Sequence, residues 1–120
     1  MREILFRGKL KSNDEWSFGN LNVSLRATVI ITPDETPIGK YGQVIPETVG
    51  QYIGLTDKNG KKIFEGDIVK YKNSSPCQIA YIDSQFVMMW KNFYRNFERV
   101  YDDEIEVIGN IYDYPELLEV

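Results

Sequence analysis

The hydrophobic positions of this chain mostly recur at every second residue, the period of a β-strand that packs one face on a core. Residues 4–10 alternate between a mostly apolar face and a largely basic one. A polar turn cluster at 12–14 separates them from a second strand, predicted over 16–25, so the chain should open with a hairpin. Residues 27–31 are apolar and β-branched, which predicts a third strand.

The segment from Thr48 to Lys70 predicts a second hairpin followed by a sharp corner. Its strands should be Thr48–Ile53 and Lys61–Phe64, joined through Asn59-Gly60, residues that accept the positive φ of a tight turn. The pair Gly66-Asp67 then precedes an alternating apolar run. A flexible, polar corner of this kind is typical of small, strongly bent barrels related to the SH3 fold.

Further strands are predicted over Cys77–Ile82, Phe86–Trp90 and Ile105–Ile111, with a turn at Asp83-Ser84. The run Phe86–Trp90 is apolar throughout, as expected of a strand buried on both faces, so Trp90 should be shielded from solvent. Pro115 is placed to begin a single helical turn.

Two segments fit no regular element. Thr32–Gly42 contains two prolines and two glycines, and is predicted to be an exposed loop. Lys91–Val100 shows no clear period. We therefore predict an all-β fold, with an N-terminal β-sheet or hairpin region (residues 1–45) packed on a C-terminal SH3-like barrel (residues 46–120), the two sharing one core.

Charge is distributed unevenly along the chain. Its 120 residues include 14 Lys and Arg against 18 Asp and Glu, for a net charge of −4. Residues 98–120 hold eight of the acids but only one base, a net of −7, which leaves +3 for residues 1–97. We interpret the acidic segment as a solvated face that pairs loosely with basic strands.

The chain has one cysteine and no histidine. This composition excludes an internal disulfide, argues against zinc, and leaves a thiol nucleophile without its usual base. Cys77 should be a small buried side chain in a strand. The N-terminal apolar run is short for a signal peptide, and no segment approaches a membrane span, so we expect a cytoplasmic protein without a membrane partner.

Other candidate chemistry is weak. No helix follows the spaced glycines, as a phosphate-binding loop would require. The acidic run at 102–106 lacks the spacing and internal glycine of a calcium loop. Nothing selects a catalytic carboxylate pair. We expect no catalytic, cofactor-binding or metal-binding residue, and a protein that is not an enzyme.

One stretch, Lys91–Arg99, interleaves basic and aromatic side chains, as contact surfaces often do. The candidate contact residues are Phe93, Tyr94, Arg95, Phe97 and Arg99. A protein partner or self-association into a homo-oligomer is the leading interpretation. Nucleic acid is the alternative, because such a mix can follow phosphates and stack on bases. The competing interpretation of the stretch is that Phe93 and Phe97 pack inward and have no partner. An uncharacterised enzyme is a distant third possibility for the function.

The ordered motifs of the chain resemble those of the YopX family, small proteins of phages and prophages of Gram-positive bacteria. The resemblance rests on an opening ILFRGK, on Glu15-Trp16, and on the segments 48–61, 63–69, 106–112 and 115–118. It implies an all-β fold with an SH3-like barrel in the C-terminal part, and an accessory or regulatory protein acting in the host cell. It implies no known reaction. Residues 24–41 and 91–99 lie outside the pattern.

Overall fold

A computed structural model describes residues 3–32, 40–97 and 104–119. Almost all of the regular structure in these residues is β, so the all-β prediction is confirmed. Two short 3₁₀ helices, Pro46–Thr48 and Pro115–Leu118, accompany the strands. The strands are β1 (Phe6–Lys9), β2 (Trp16–Val23), β3 (Thr28–Thr32), β4 (Lys40–Gln43), β5 (Gly50–Thr56), β6 (Lys62–Phe64), β7 (Asp67–Tyr71), β8 (Cys77–Ile82), β9 (Gln85–Met89), β10 (Tyr94–Asn96) and β11 (Ile105–Asn110).

The chain divides into two compact units, Met1–Tyr52 and Ile53–Val120. The predicted division at residues 45 and 46 stays a prediction. In the described part of the chain, no helix has the length and apolar character needed to cross a membrane.

The first unit is an antiparallel sheet in the order β4-β3-β2-β1-β5. The predicted opening hairpin is present, with Lys9 opposite Trp16, and the Leu10 N–H donates to the Glu15 carbonyl at 2.9 Å. Ile30 and Val44 are fully buried in this unit. These two side chains mark the core of the unit, although burial does not strictly alternate along its strands.

The predicted loop after β3 is shorter at its C-terminal end than expected, because Lys40–Gln43 forms β4 against β3. At Gly42 of β4 a Cβ would lie 2.5 Å from the Leu10 Cδ2 atom, so a larger residue there would require the Leu10 side chain to move. Residues 33–39, the rest of the predicted loop, lie outside the described residues.

In the second unit the end of β5 pairs with β6, and five strands form an antiparallel sheet in the order β10-β9-β8-β7-β11. The last strand along the chain, β11, thus lies beside β7, the first of this sheet. The SH3-like closure of this part stays a prediction. The sheet packs a core whose members are all nearly or fully buried: Ile53, Ile63, Val69, Cys77, Ile79, Met88 and Ile105.

The turn between β5 and β6 is built on the carboxylate of Asp57, of which only 3% is exposed. Its Oδ1 accepts hydrogen bonds from the N–H groups of Asn59 and Lys61, both at 2.9 Å. Gly60 has a φ of +79°, so the prediction of positive φ at this turn is confirmed. A second buried carboxylate, Asp67, accepts from the Phe64 N–H at 2.8 Å and fixes the corner before β7.

The turn from β8 to β9 lies at Asp83 and Ser84, as predicted. Both residues have positive φ, 52° and 67°. Two such residues in succession match the twist of a two-residue β-hairpin. This turn sets the register of β9, and β9 in turn positions β10.

Candidate contact surface

The candidate surface lies on β10, an outer strand of the five-stranded sheet. β10 pairs antiparallel with β9, and Arg95 lies opposite Met88. The Trp90 N–H donates to the Phe93 carbonyl at 2.8 Å, which closes the hairpin between the two strands. Short β10 is therefore held along its inner edge by backbone bonds.

The structure places the predicted contact residues differently from one another. Phe93 and Tyr94 are 56% and 45% exposed, and Arg95 is also exposed. Phe97 is half-buried and packs against the core. The inward-packing interpretation is thus right for Phe97 and wrong for Phe93. Arg99 lies outside the described residues.

Trp90 packs against the core but is only partly buried, so its shielding is less complete than a strand buried on both faces would give. β9 ends at Met89, and only Val87 and Met88 are fully buried within it. The indole Nε1–H of Trp90 donates to the Ser75 carbonyl at 2.9 Å. Trp90 therefore lies at the margin of the core, where its polar edge needs a hydrogen-bond partner.

The ring of Trp90 stacks on that of Phe93, with centroids 5.0 Å apart and planes 12° from parallel. This contact holds exposed Phe93 in one orientation although no core surrounds it. We call Trp90, Phe93, Tyr94 and Arg95 the β10 patch. Its aromatic side chains are held in place before any partner arrives, which lowers the entropy lost on binding.

The surroundings of the β10 patch add charge and a shallow groove. Exposed Lys91 precedes it, and the Tyr94 hydroxyl lies 3.4 Å from Asp83 Oδ2. A groove of about 290 Å³ runs beside Trp90 and is lined by Pro76, Gln78, Met89, Trp90, Lys91 and Leu118. The patch therefore combines aromatic area with positive charge.

A second aromatic surface, in the first unit, was missed by sequence reasoning. Phe18 and Tyr41 are exposed, and Trp16 lies under Arg7 and Lys9, whose charged groups are 4.6 and 5.7 Å from its ring. The alternation of Trp16 and Phe18 was a usable signal. These aromatic residues border a groove of about 610 Å³. The groove is lined by Leu10, Ser12, Asn13, Glu15, Trp16, Ser17, Phe18, Thr32, Lys40, Tyr41 and Gly42.

The acidic segment does pair with basic side chains where it is described. Lys58 lies 3.5 Å from Glu106, and Lys72 lies 3.4 Å from Glu104. The hydrogen bond that the Lys72 ammonium donates to the Glu104 carboxylate raises the pKa of Lys72. These pairs are largely exposed, so each contributes little to stability. Asp102 and Asp103 lie outside the described residues.

The one thiol is poorly placed for chemistry. Cys77 is fully buried, and this burial raises the pKa of its thiol to about 12. The thiolate is the nucleophilic form of cysteine, so a thiol of this kind is inert near neutral pH. Within 3–32, 40–97 and 104–119, no three Cys, Asp or Glu side chains come together in a way that could hold a metal ion.

Comparison with known proteins places the whole chain in one family. The crystal structure of protein EF1440 from Enterococcus faecalis is similar, with a TM-score of 0.62 and 28% identity, over 98% of this chain and 99% of that one. No curated protein matches. The family model described as YopX protein matches residues 5–119. Neither description states an activity or a partner. The chain belongs to the YopX family.

Proposed function

We propose that this protein is a non-enzymatic binding module whose β10 patch contacts a protein. The observation that carries the proposal is the run Phe93-Tyr94-Arg95, in which three consecutive large side chains are exposed immediately before and on the outer strand β10. Tyr, Phe and Arg are enriched in protein interfaces relative to the rest of the surface. Large aromatic side chains left in solvent mark contact surfaces more often than chance.

The contacts that restrict the side chains of the β10 patch support a binding role. The Trp90–Phe93 stack, the backbone bond between the same residues and the Tyr94–Asp83 contact each restrict one element of the patch. A rigid aromatic anchor gains contact area at small entropic cost. Self-association through the patch belongs to the same proposal, with a second copy as the partner.

The proposal that the protein is not an enzyme rests on its side-chain chemistry. The chain has no histidine, the commonest general base. The buried thiol of Cys77, with its pKa raised to about 12, does not ionise at neutral pH. Turnover by purified protein that a single carboxylate substitution abolishes would overturn this part of the proposal.

Nucleic acid is the second candidate partner. The patch and Lys91 together place two positive charges beside two exposed aromatic rings. Proteins use this combination to bind single-stranded nucleic acid. The net charge of −4 opposes it. Affinity that falls steeply with added salt would favour nucleic acid, whereas an aromatic protein interface depends weakly on salt.

We further propose a biological setting from the family resemblance. The protein would be a phage- or prophage-encoded accessory or regulatory protein that acts in the cytoplasm of its host. Its partner would then be a host or phage protein present in that compartment.

The experiment compares two double variants of tagged protein in capture from host lysate, with and without nuclease. Tyr94→Ala with Arg95→Ala alters the patch, and Lys40→Ala with Tyr41→Ala alters a matched Lys-Tyr pair on β4. We expect the first to lose the captured protein, the second to keep it, and both to melt like the wild type. Undiminished capture by the folded patch variant would contradict the proposal, and nuclease-sensitive capture would favour the alternative.

A further inference from the structure

The outer edge of β10 carries backbone groups that face away from the sheet. In an antiparallel pair, alternate residues turn their N–H and C=O toward the partner strand. The Phe93 carbonyl accepts a hydrogen bond from the Trp90 N–H. The backbone groups of Phe93 and Arg95 therefore face β9, and those of Tyr94 and Asn96 point away from it. Among the residues that the structure describes, no strand pairs with this outer side.

The positive charges beside the outer edge of β10 favour an acidic partner strand. Arg95 is the central residue of β10, and Lys91 stands at the start of its hairpin, both exposed. Opposite charges on directly facing residues of neighbouring strands stabilise the pair, and like charges destabilise it. An added strand would therefore favour Asp or Glu opposite Arg95, where a carboxylate can accept charge-assisted hydrogen bonds from the guanidinium.

The same charge disfavours a second copy of this chain at the same edge. Two β10 strands related by a two-fold axis, in the register that pairs all three residues, place Arg95 opposite Arg95. Proteins protect outer strands from self-pairing by keeping them short and by placing charge on them. Arg95 in a three-residue strand has both properties, so it disfavours a like copy in this register and favours an acidic strand.

We infer that the partner binds by adding an extended, acidic segment to the outer edge of β10. The inference rests on the proposed function and specifies how the patch binds. Phe93 immediately precedes β10 and lies two residues from Arg95; both turn their backbone groups toward β9, so their side chains lie on one side of the sheet. The segment should thus carry an apolar residue opposite Phe93 and, two positions away, a carboxylate opposite Arg95. Backbone bonds to Tyr94 and Asn96 supply affinity, and the two side chains supply specificity.

The test selects displayed random nonapeptides on the full-length protein, first wild type and then Arg95→Glu. For the wild type we expect enrichment of peptides with an acidic residue two positions from an apolar one. For Arg95→Glu the acidic preference should be replaced by Lys or Arg. Replacing the selected carboxylate with an amide should weaken binding by about tenfold, the loss expected of one charge-assisted pair.

A second measurement reads the backbone directly. Adding the selected peptide should slow amide hydrogen exchange at Tyr94 and Asn96, whose N–H groups point outward, and leave Arg95 little changed. A peptide N-methylated at the facing positions should not protect these amides. Protection of other strands, or none, would overturn strand addition.

The remaining outcomes separate this inference from the proposed function. If the patch double variant loses a protein partner but no peptide is enriched, the patch binds a protein and strand addition is wrong. If basic or neutral peptides are enriched equally, the charge argument is wrong. A concentration-dependent dimer that the double variant abolishes would identify a second copy as the occupant. If the double variant retains every partner, the proposed function itself fails.

Discussion

Asp57 Oδ2 accepts a hydrogen bond from the Val107 N–H at 2.9 Å, which joins residues 50 positions apart in the chain. The other oxygen of the same carboxylate organises the β5–β6 turn. One buried side chain thus ties a local hairpin to the last strand of the second unit. Three backbone donors converge on it, and they leave its negative charge well satisfied.

Replacing Asp57 with alanine should destabilise the protein by about 2–4 kcal/mol, because three backbone N–H groups lose a charged acceptor in a buried place. Urea unfolding followed by circular dichroism measures the loss. Exposed Glu116 is the control, since Glu116→Ala removes a carboxylate at the surface of the same unit. Equal stability of Asp57→Ala and wild type would show that the convergence seen here contributes nothing.

The carboxylate of Asp57 should also make stability depend on pH. Burial acts to raise its pKa, but the hydrogen bonds from Val107, Lys61 and Asn59 outweigh burial and hold the pKa below its ordinary value of 3.8. Its contribution is therefore complete above the unfolded-state pKa and is lost as pH falls through the folded-state pKa. The stability gap between wild type and Asp57→Asn should be constant near neutral pH and shrink below about pH 4. A gap that widens on acidification would give the opposite sign and contradict the assignment.

Gly60 should tolerate asparagine far better than valine. A Cβ at Gly60 would have no atom within 4 Å, so the cost of substitution comes from its φ of +79° alone. Gly60→Val should lower stability by about 1 kcal/mol or more, and Gly60→Asn should cost clearly less, since asparagine accepts this region more readily. Thermal melts of the two variants measure the difference, and equal melting temperatures would contradict the backbone explanation.

Trp90 should contribute through packing and through one hydrogen bond. Because it is half-buried, Trp90→Ala should cost about 2 kcal/mol, less than the ~3–5 kcal/mol of a fully packed tryptophan. Trp90→Phe keeps an aromatic ring but loses the bond to Ser75, so it should cost about 1 kcal/mol. Chemical denaturation measures the unfolding free energies of the wild type and the two variants. A larger loss of stability for Trp90→Phe than for Trp90→Ala would contradict this explanation.

The buried thiol of Cys77 should report on unfolding. With its pKa raised to about 12 by burial, native Cys77 should react with a thiol reagent at pH 8 at least about a hundredfold more slowly than in denaturing urea. Cys77→Ser is the matched blank. Rapid labelling under native conditions would mean that this strand opens freely.

The sequence determined the local elements of this fold. The period of two predicted the strands, and the chemistry of Asn59-Gly60 and Asp83-Ser84 predicted two turns that the structure contains. These features depend on neighbours along the chain, which the sequence displays directly. The family could be inferred in the same way, because its motifs recur in order along the chain.

The contact surface was only partly predictable. The composition of residues 91–99 indicated a contact surface. It could not distinguish exposed Phe93 from half-buried Phe97, because an even spacing places both on the same face of a strand. Tertiary contacts decide this, because Phe97 packs against the core whereas Phe93 stacks on the ring of Trp90. The Ser75 carbonyl that Trp90 bonds lies 15 positions earlier in the chain.

The sequence by itself thus determined strands, turns and family, while the tertiary structure decided which aromatic residues remain in solvent and which carboxylate accepts three backbone hydrogen bonds. Asp57 illustrates the difference. It lies beside the predicted Asn59-Gly60 turn, but nothing nearby along the chain marks the Val107 N–H as a third donor to its carboxylate. Local backbone preferences act between neighbours, but burial and long-range hydrogen bonds arise only when distant strands meet, so they exist only in the folded molecule.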